Sequence, residues 1–182
     1  MKRIAEFMME ACFLKHIPRS GYQYLGTGKE SVAEHVYAAT MFAYLFSHLE
    51  PEADALKLLS MSLLHDLPEA RVGDLNYVQK HYVHADEKRA LADALENLPF
   101  SRSISDLIEE YDACETLESK LAHDADQLAL IIDLKFLKDR GHHTPDTWLP
   151  HVQERLKTHI GVQVATALLS ENWDGWWRKI FC

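Results

Sequence analysis

A chain of 182 residues, 47% of them hydrophobic, can enclose a core and is too apolar for intrinsic disorder. Its formal net charge of −9 repels a long phosphate backbone, which disfavours a general nucleic-acid binder. A small phosphate ester remains compatible, because it needs only one local cluster of positive charge.

The chain opens MKRIAEFMMEACFL, an apolar run that Glu6 and Glu10 interrupt, which is wrong for a secretory signal. No stretch of about 18 apolar residues exists to span a membrane. Cys12, Cys114 and Cys182 are far apart and odd in number, so they read as reduced thiols of a cytoplasmic protein. A first helix is predicted over 2–15, with Ile4, Met8, Ala11 and Cys12 on one face. Residues 16–30 hold three of the seven glycines and read as a loop. Ser31 with Glu34 three positions on forms a capping-box pattern, which starts a helix at Val32 that runs to about Leu49.

Pro51 is expected to open the next helix, over about 52–66, carrying Ala55, Leu58, Leu59, Ser62 and Leu63. Pro68 disfavours a helical Leu67, so that helix stops near Asp66, and Gly73 and Asn76 extend the break. Further helices are predicted at 85–97, 101–116, 118–140 and 150–170. The segment ENWDGWWRKIF adds a short terminal helix, on which Trp173, Trp176 and Trp177 form one broad aromatic face. That face either packs back on its own domain or anchors a homodimer. Strand signals are scarce, and the expected fold is an all-α bundle of seven or eight helices in one domain.

Most of the eleven histidines read as solvated surface groups: His16, His81, His84, His142, His143, His151 and His159 fall in loops or on polar faces. His48 sits near a helix end, where positive charge suits the dipole. His65 and Asp66 differ, because they follow the apolar SMSLL and need partners. Those partners are either each other or a divalent metal, for which imidazole and carboxylate are both ligands. His35 sits in the apolar helix ESVAEHVYAATMFAYL, either as a core histidine bonded to a carbonyl or as a third ligand. In KLAHDADQLALIIDL, apolar residues surround almost the whole helix, so Asp124 and Asp126 are costly unless something positive meets them. Periodicity does not choose between the two.

Taken together, SVAEH, LLHDLPEARVGDL and KLAHDADQL resemble the HD-domain metal-dependent phosphohydrolases, and more narrowly the bacterial 5′-deoxynucleotidases, over roughly residues 10–140. The resemblance implies an HD-domain helical bundle with a motif core at about 31–130 and a C-terminal helical extension at about 145–182. It implies His35, His65, Asp66 and Asp126 as metal ligands, the last because an aspartate, one residue and a leucine match Asp126-Gln127-Leu128. It places Glu69 and Asp74 in the catalytic machinery and Arg19 on substrate phosphate, in a loop one residue longer than in the nucleotidases. Lys80 reads as a second phosphate contact or as a solvated lysine.

Two imidazoles and two carboxylates without a thiolate suit one divalent Mn, Fe, Co, Ni or Zn ion. The implied reaction releases phosphate from a nucleoside 5′-monophosphate or a similar monoester. Phosphodiester or nucleoside triphosphate hydrolysis, or a non-catalytic nucleotide-sensing module, are the other readings. Relatives are commonly dimers. Two departures stand out: His123 where relatives often carry lysine, and Ser20, Gly21 and Tyr22 where the nucleotidases have a tryptophan beside the loop arginine.

Overall fold

The structure is a computed structural model and describes residues 1–181; the Cys182 thiol lies outside the described residues. Cys12 is exposed and Cys114 half-buried, both as free thiols. In chain order the helices are α1 (Lys2–Cys12), followed by a 3₁₀ turn at Phe13–His16, α2 (Tyr22–Leu25), α3 (Val32–Leu49), α4 (Ala55–Leu64), α5 (Glu69–Val72), α6 (Tyr77–Tyr82), α7 (Glu87–Leu95), α8 (Ser101–Ala113), α9 (Leu117–Asp139), α10 (Pro145–Gln153), α11 (His159–Ser170) and α12 (Gly175–Arg178). Among the described residues there is no strand, only an isolated antiparallel bridge between Pro18 and Ser31. The all-α class expected from the sequence is the class observed.

Local chemistry sets the helix ends. At α3 the Ser31 hydroxyl accepts the Glu34 N–H at 3.2 Å, and the Glu34 carboxylate accepts the Ser31 N–H at 2.6 Å. Pro51 does not open α4. Asp54 caps it by accepting the Lys57 N–H at 3.0 Å, and Pro51 stays in the preceding turn. The stretch expected as an open break holds α5 and α6. Asn76 and Gln79 start α6 by a reciprocal capping box, with both bonds at 3.0 Å. The loop at 16–30 likewise contains the short α2.

The helix expected over 150–170 is two helices, and a buried carboxylate divides them. Asp124, on α9, is fully inaccessible to solvent. It accepts the Lys157 N–H at 2.6 Å, the Thr158 N–H at 2.8 Å and the Thr158 hydroxyl at 2.5 Å, while Thr158 Oγ1 accepts the Gly161 N–H to start α11. A Cβ on Gly161 would stand 2.2 Å from Asp124 Oδ2, so only glycine fits there. Asp124→Ala leaves two backbone donors without partners and should lower stability by about 3 kcal/mol while metal content stays at wild-type level. Denaturant unfolding and elemental analysis check this; unchanged stability with lost metal would contradict it.

The long helix α9 lies at the centre and touches α3, α4, α8, α10 and α11. Its Leu121, Leu128, Ile131 and Leu134 are fully buried against Phe42 and Phe46 of α3 and Leu58 and Met61 of α4. A second cluster joins Phe7 of α1, Leu91 and Leu95 of α7 and Ile104 and Ile108 of α8 around Leu67. Leu67 follows His65 and Asp66 directly, so this packing holds the end of α4 against the bundle.

The C-terminal aromatic face is only partly as expected, because α12 is a single turn and Trp173 precedes it. Trp173 folds back onto Phe136, ring centroids 6.1 Å apart, and lies 4.7 Å under the Arg140 guanidinium. Trp177 packs on Trp173, whereas Trp176 is 74% exposed. Among the described residues no helix is long and apolar enough to cross a membrane.

Candidate metal and phosphate site

Three packed helices bring four of the residues singled out in the sequence to one point. His35, on the first turn of α3, is fully buried and faces α9, where its Nε2 lies 2.7 Å from Asp126 Oδ1. His65 and Asp66 come from the end of α4. His65 Nδ1–H donates to the Ser62 carbonyl at 2.9 Å, which directs Nε2 inward. That Nε2 lies 3.3 Å from Asp66 Oδ1 and 3.9 Å from Asp126 Oδ1, and His35 Nε2 lies 3.9 Å from Asp66 Oδ2. One donor atom each of His35, His65 and Asp126 falls within 4.8 Å of the others. Asp124, two residues from Asp126, points instead at the start of α11.

The donor set fits a divalent cation. His65 Nε2 and Asp66 Oδ2 are buried without any hydrogen-bond partner, a costly arrangement for polar atoms unless something bridges them. Burial opposes charge on His65, yet the Asp66 carboxylate 3.3 Å away and the nearby Asp126 lift the imidazole to about 9. Burial likewise favours a neutral Asp126, but the His35 hydrogen bond and the charges of both imidazoles and Arg19 hold it well below the usual carboxylate range. The pocket therefore stabilises positive charge between these carboxylates, which is what a cation needs.

Around this point lie the remaining residues. Glu69, the first residue of α5, is buried and its Oε2 has no partner. Burial, then Asp66 and Asp74, push its carboxyl up to about 9, against the pull of Arg19 and Lys80. Arg19 Nη1 lies 3.7 Å from Asp66 Oδ2 and 3.7 Å from Asp74 Oδ1. Burial opposes the Arg19 charge, and Asp66, Asp126, Asp74 and Glu69 together outweigh that and raise its pKa. Lys80 does not join the cluster; it is exposed on α6, and only its charge reaches Glu69. The histidines read as solvated, His16, His81, His84, His142, His143, His151 and His159, are all exposed.

Three further residues line the site, of which the sequence marked only Ser20, as a departure from the nucleotidase pattern beside Arg19. Tyr111 of α8 places its ring 5.1 Å from that of His65 and stacks on His123 at 4.0 Å. It follows Ile104 and Ile108 on the apolar face of α8, a spacing that fits a core residue and carries no hint of the site. Glu30 lies 4.0 Å from His35 Nδ1 and 4.0 Å from Arg19 Nε. Ser20 is buried and donates its N–H to Asp74 Oδ2 at 2.6 Å. Neither a spacing nor a periodicity pointed to these last two.

Residues 12–167 match the model of the HD domain family. The chain is 31% identical over 154 residues to 5′-deoxynucleotidase HDDC2 of Dictyostelium discoideum, covering 78% of this chain and 81% of that protein. It is 31% identical over 138 residues to 5′-deoxynucleotidase HDDC2 of Danio rerio, covering 72% and 68%. Among solved structures, a conserved hypothetical protein from Pyrococcus furiosus superposes with a TM-score of 0.75 at 28% identity, over 91% of this chain and 98% of that one. A "Predicted metal-dependent phosphohydrolase" from Magnetospirillum magnetotacticum shares the fold with a TM-score of 0.69 at 24% identity, over 92% of each chain.

Proposed function

The chain belongs to the HD-domain family, and on that basis we propose that it is a metal-dependent phosphohydrolase that releases phosphate from a nucleoside 5′-monophosphate. The observation that carries this reading is the convergence of His35, His65, Asp66 and Asp126 with Glu69 and Arg19 beside them. Two imidazoles and two carboxylates would hold one divalent Mn, Fe, Co, Ni or Zn ion. Such an ion would supply Lewis acidity and lower the pKa of the attacking water toward neutral. Glu69 would accept a proton from the attacking water or hold it in line with the phosphorus. Arg19 binds the equatorial phosphoryl oxygens as their charge grows. The bond between phosphorus and the leaving oxygen breaks, the leaving oxygen takes up a proton in place of the one water lost to Glu69, and the products are a nucleoside and inorganic phosphate. Asp74 supports Arg19 from the following loop, and Lys80 adds positive charge at longer range. The nucleotide substrate is supported by the relatives named 5′-deoxynucleotidase.

The experiment is a panel of phosphate esters presented to metal-loaded protein. Release of phosphate from nucleoside 5′-monophosphates, with cyclic nucleotides and nucleoside triphosphates left intact, is the expected result. Preferential attack on a cyclic diester or a triphosphate would replace the monoester reading, and nucleotide binding without hydrolysis would make the chain a sensor.

The same reading takes residues 1–182 as one catalytic domain working in the cytoplasm as a homodimer. Trp176 is the outward-facing anchor for a second copy, because Trp173 and Trp177 are already used within the chain. Trp176→Ala should shift sedimentation from dimer toward monomer at micromolar concentration with little change in melting temperature. Trp177→Ala should lower the melting temperature instead. A wild-type chain that sediments as a monomer would dispose of the dimer.

A further inference from the structure

Two loops meet at Asp74. The first, which carries Arg19, is pinned at its base: the Arg19 N–H donates to the Glu30 carbonyl and the Val32 N–H to the Ile17 carbonyl, both at 2.9 Å. The second follows α5 and turns at Gly73, whose φ of 76° and ψ of 163° lie in a region that glycine alone populates readily. A Cβ at Gly73 would meet nothing within 4 Å, so the backbone conformation, and not the space, requires glycine. This turn sends Asp74 back across to the first loop. Asp74 Oδ2 accepts the Ser20 N–H at 2.6 Å, and Oδ1 faces the Arg19 guanidinium at 3.7 Å. Both carboxylate oxygens are thus directed at donors on two successive residues of the arginine loop.

We propose that Asp74 is a positioning residue, a latch that fixes the Arg19 loop and aims its guanidinium at the phosphoryl group, and that it does not protonate the leaving oxygen. The proposal rests on the reading of Arg19 as the phosphate contact. A charge-assisted bond to a backbone N–H holds the loop against the segment that carries Glu69, so the arginine and the water-directing carboxylate keep a fixed relation. Removing Asp74 frees the peptide of Ser20 and leaves the guanidinium to Asp66 and Glu30.

The test is a double-mutant cycle on metal-loaded protein with Asp74→Ala, Arg19→Ala and the pair together, with Asp74→Asn as the conservative variant. Inorganic phosphate affinity is read by calorimetry, and KM and kcat are read on a nucleoside 5′-monophosphate and on p-nitrophenyl phosphate, whose leaving group needs no protonation. Asp74→Ala should weaken phosphate binding about tenfold, lower turnover on both esters by a similar factor, and add little once Arg19 is gone. Asp74→Asn keeps an oxygen for the Ser20 N–H and should recover part of the loss. Unchanged phosphate affinity, turnover lost only on the nucleoside ester, and effects that multiply with Arg19→Ala would overturn the latch and make Asp74 a proton donor. If the wild type hydrolyses neither ester, the phosphatase reading falls. The phosphate-binding cycle and the hydrogen exchange of the Ser20 amide then decide the latch: protection lost in Asp74→Ala supports it, and protection retained refutes it.

Discussion

Replacing His35, His65 or Asp66 by alanine should abolish tight binding of the divalent ion and turnover together. Each change takes one donor from the proposed four-donor set on α3, α4 and α9, and a set of that size rarely survives the loss of a member. The loss should not stem from unfolding. His65 and Asp66 sit at the end of α4, and the core of that helix rests on Leu58 and Met61, which the substitutions leave in place. Asp126→Asn should behave in the same way, since Asp126 Oδ1 lies 2.7 Å from His35 Nε2 and 3.9 Å from His65 Nε2. Elemental analysis with circular dichroism separates metal loss from unfolding. Full metal occupancy in the three alanine variants would remove the site as drawn.

Glu69→Ala should retain the metal and lose turnover by about a hundredfold or more, the loss typical of a missing general base. The carboxylate is buried, its Oε2 has no partner, and Asp66 and Asp74 crowd it with negative charge, so in isolation it favours the protonated form. A cation held by Asp66 would offset that crowding and favour the ionised form that accepts a proton. Metal content and substrate affinity should stay near wild type, because Glu69 is proposed to act on water rather than to bind ion or phosphate. Wild-type turnover in this variant would take Glu69 out of the reaction.

Much of this was legible in the chain because the decisive signals are local. The capping box at Ser31 and Glu34 gave the start of α3, and with it the turn that carries His35. Pro68 gave the end of α4, which leaves His65 and Asp66 where the helix stops and the chain turns. What stayed hidden depends on partners distant in sequence. Asp124 and Asp126 share one helix and similar flanks, and periodicity could not separate them. Their neighbours do: Asp126 meets His35 of α3, and Asp124 meets the backbone of Lys157 and Thr158. The same long-range bonds split the helix expected over 150–170, because a buried carboxylate claims N–H groups that a continuous helix would use itself. The aspartate latch on Ser20 was invisible for a related reason, since a backbone N–H has no sequence signature.

The proposed function requires one divalent ion, held by His35, His65, Asp66 and Asp126, for hydrolysis of a phosphate monoester. The most direct measurement strips the protein with a chelator, then titrates Mn²⁺ or Co²⁺ back while phosphate release from a nucleoside 5′-monophosphate is followed. Activity should be absent from the stripped protein and should rise to a plateau at one ion per chain. Full activity after stripping, or a plateau only at two ions per chain, would contradict the account.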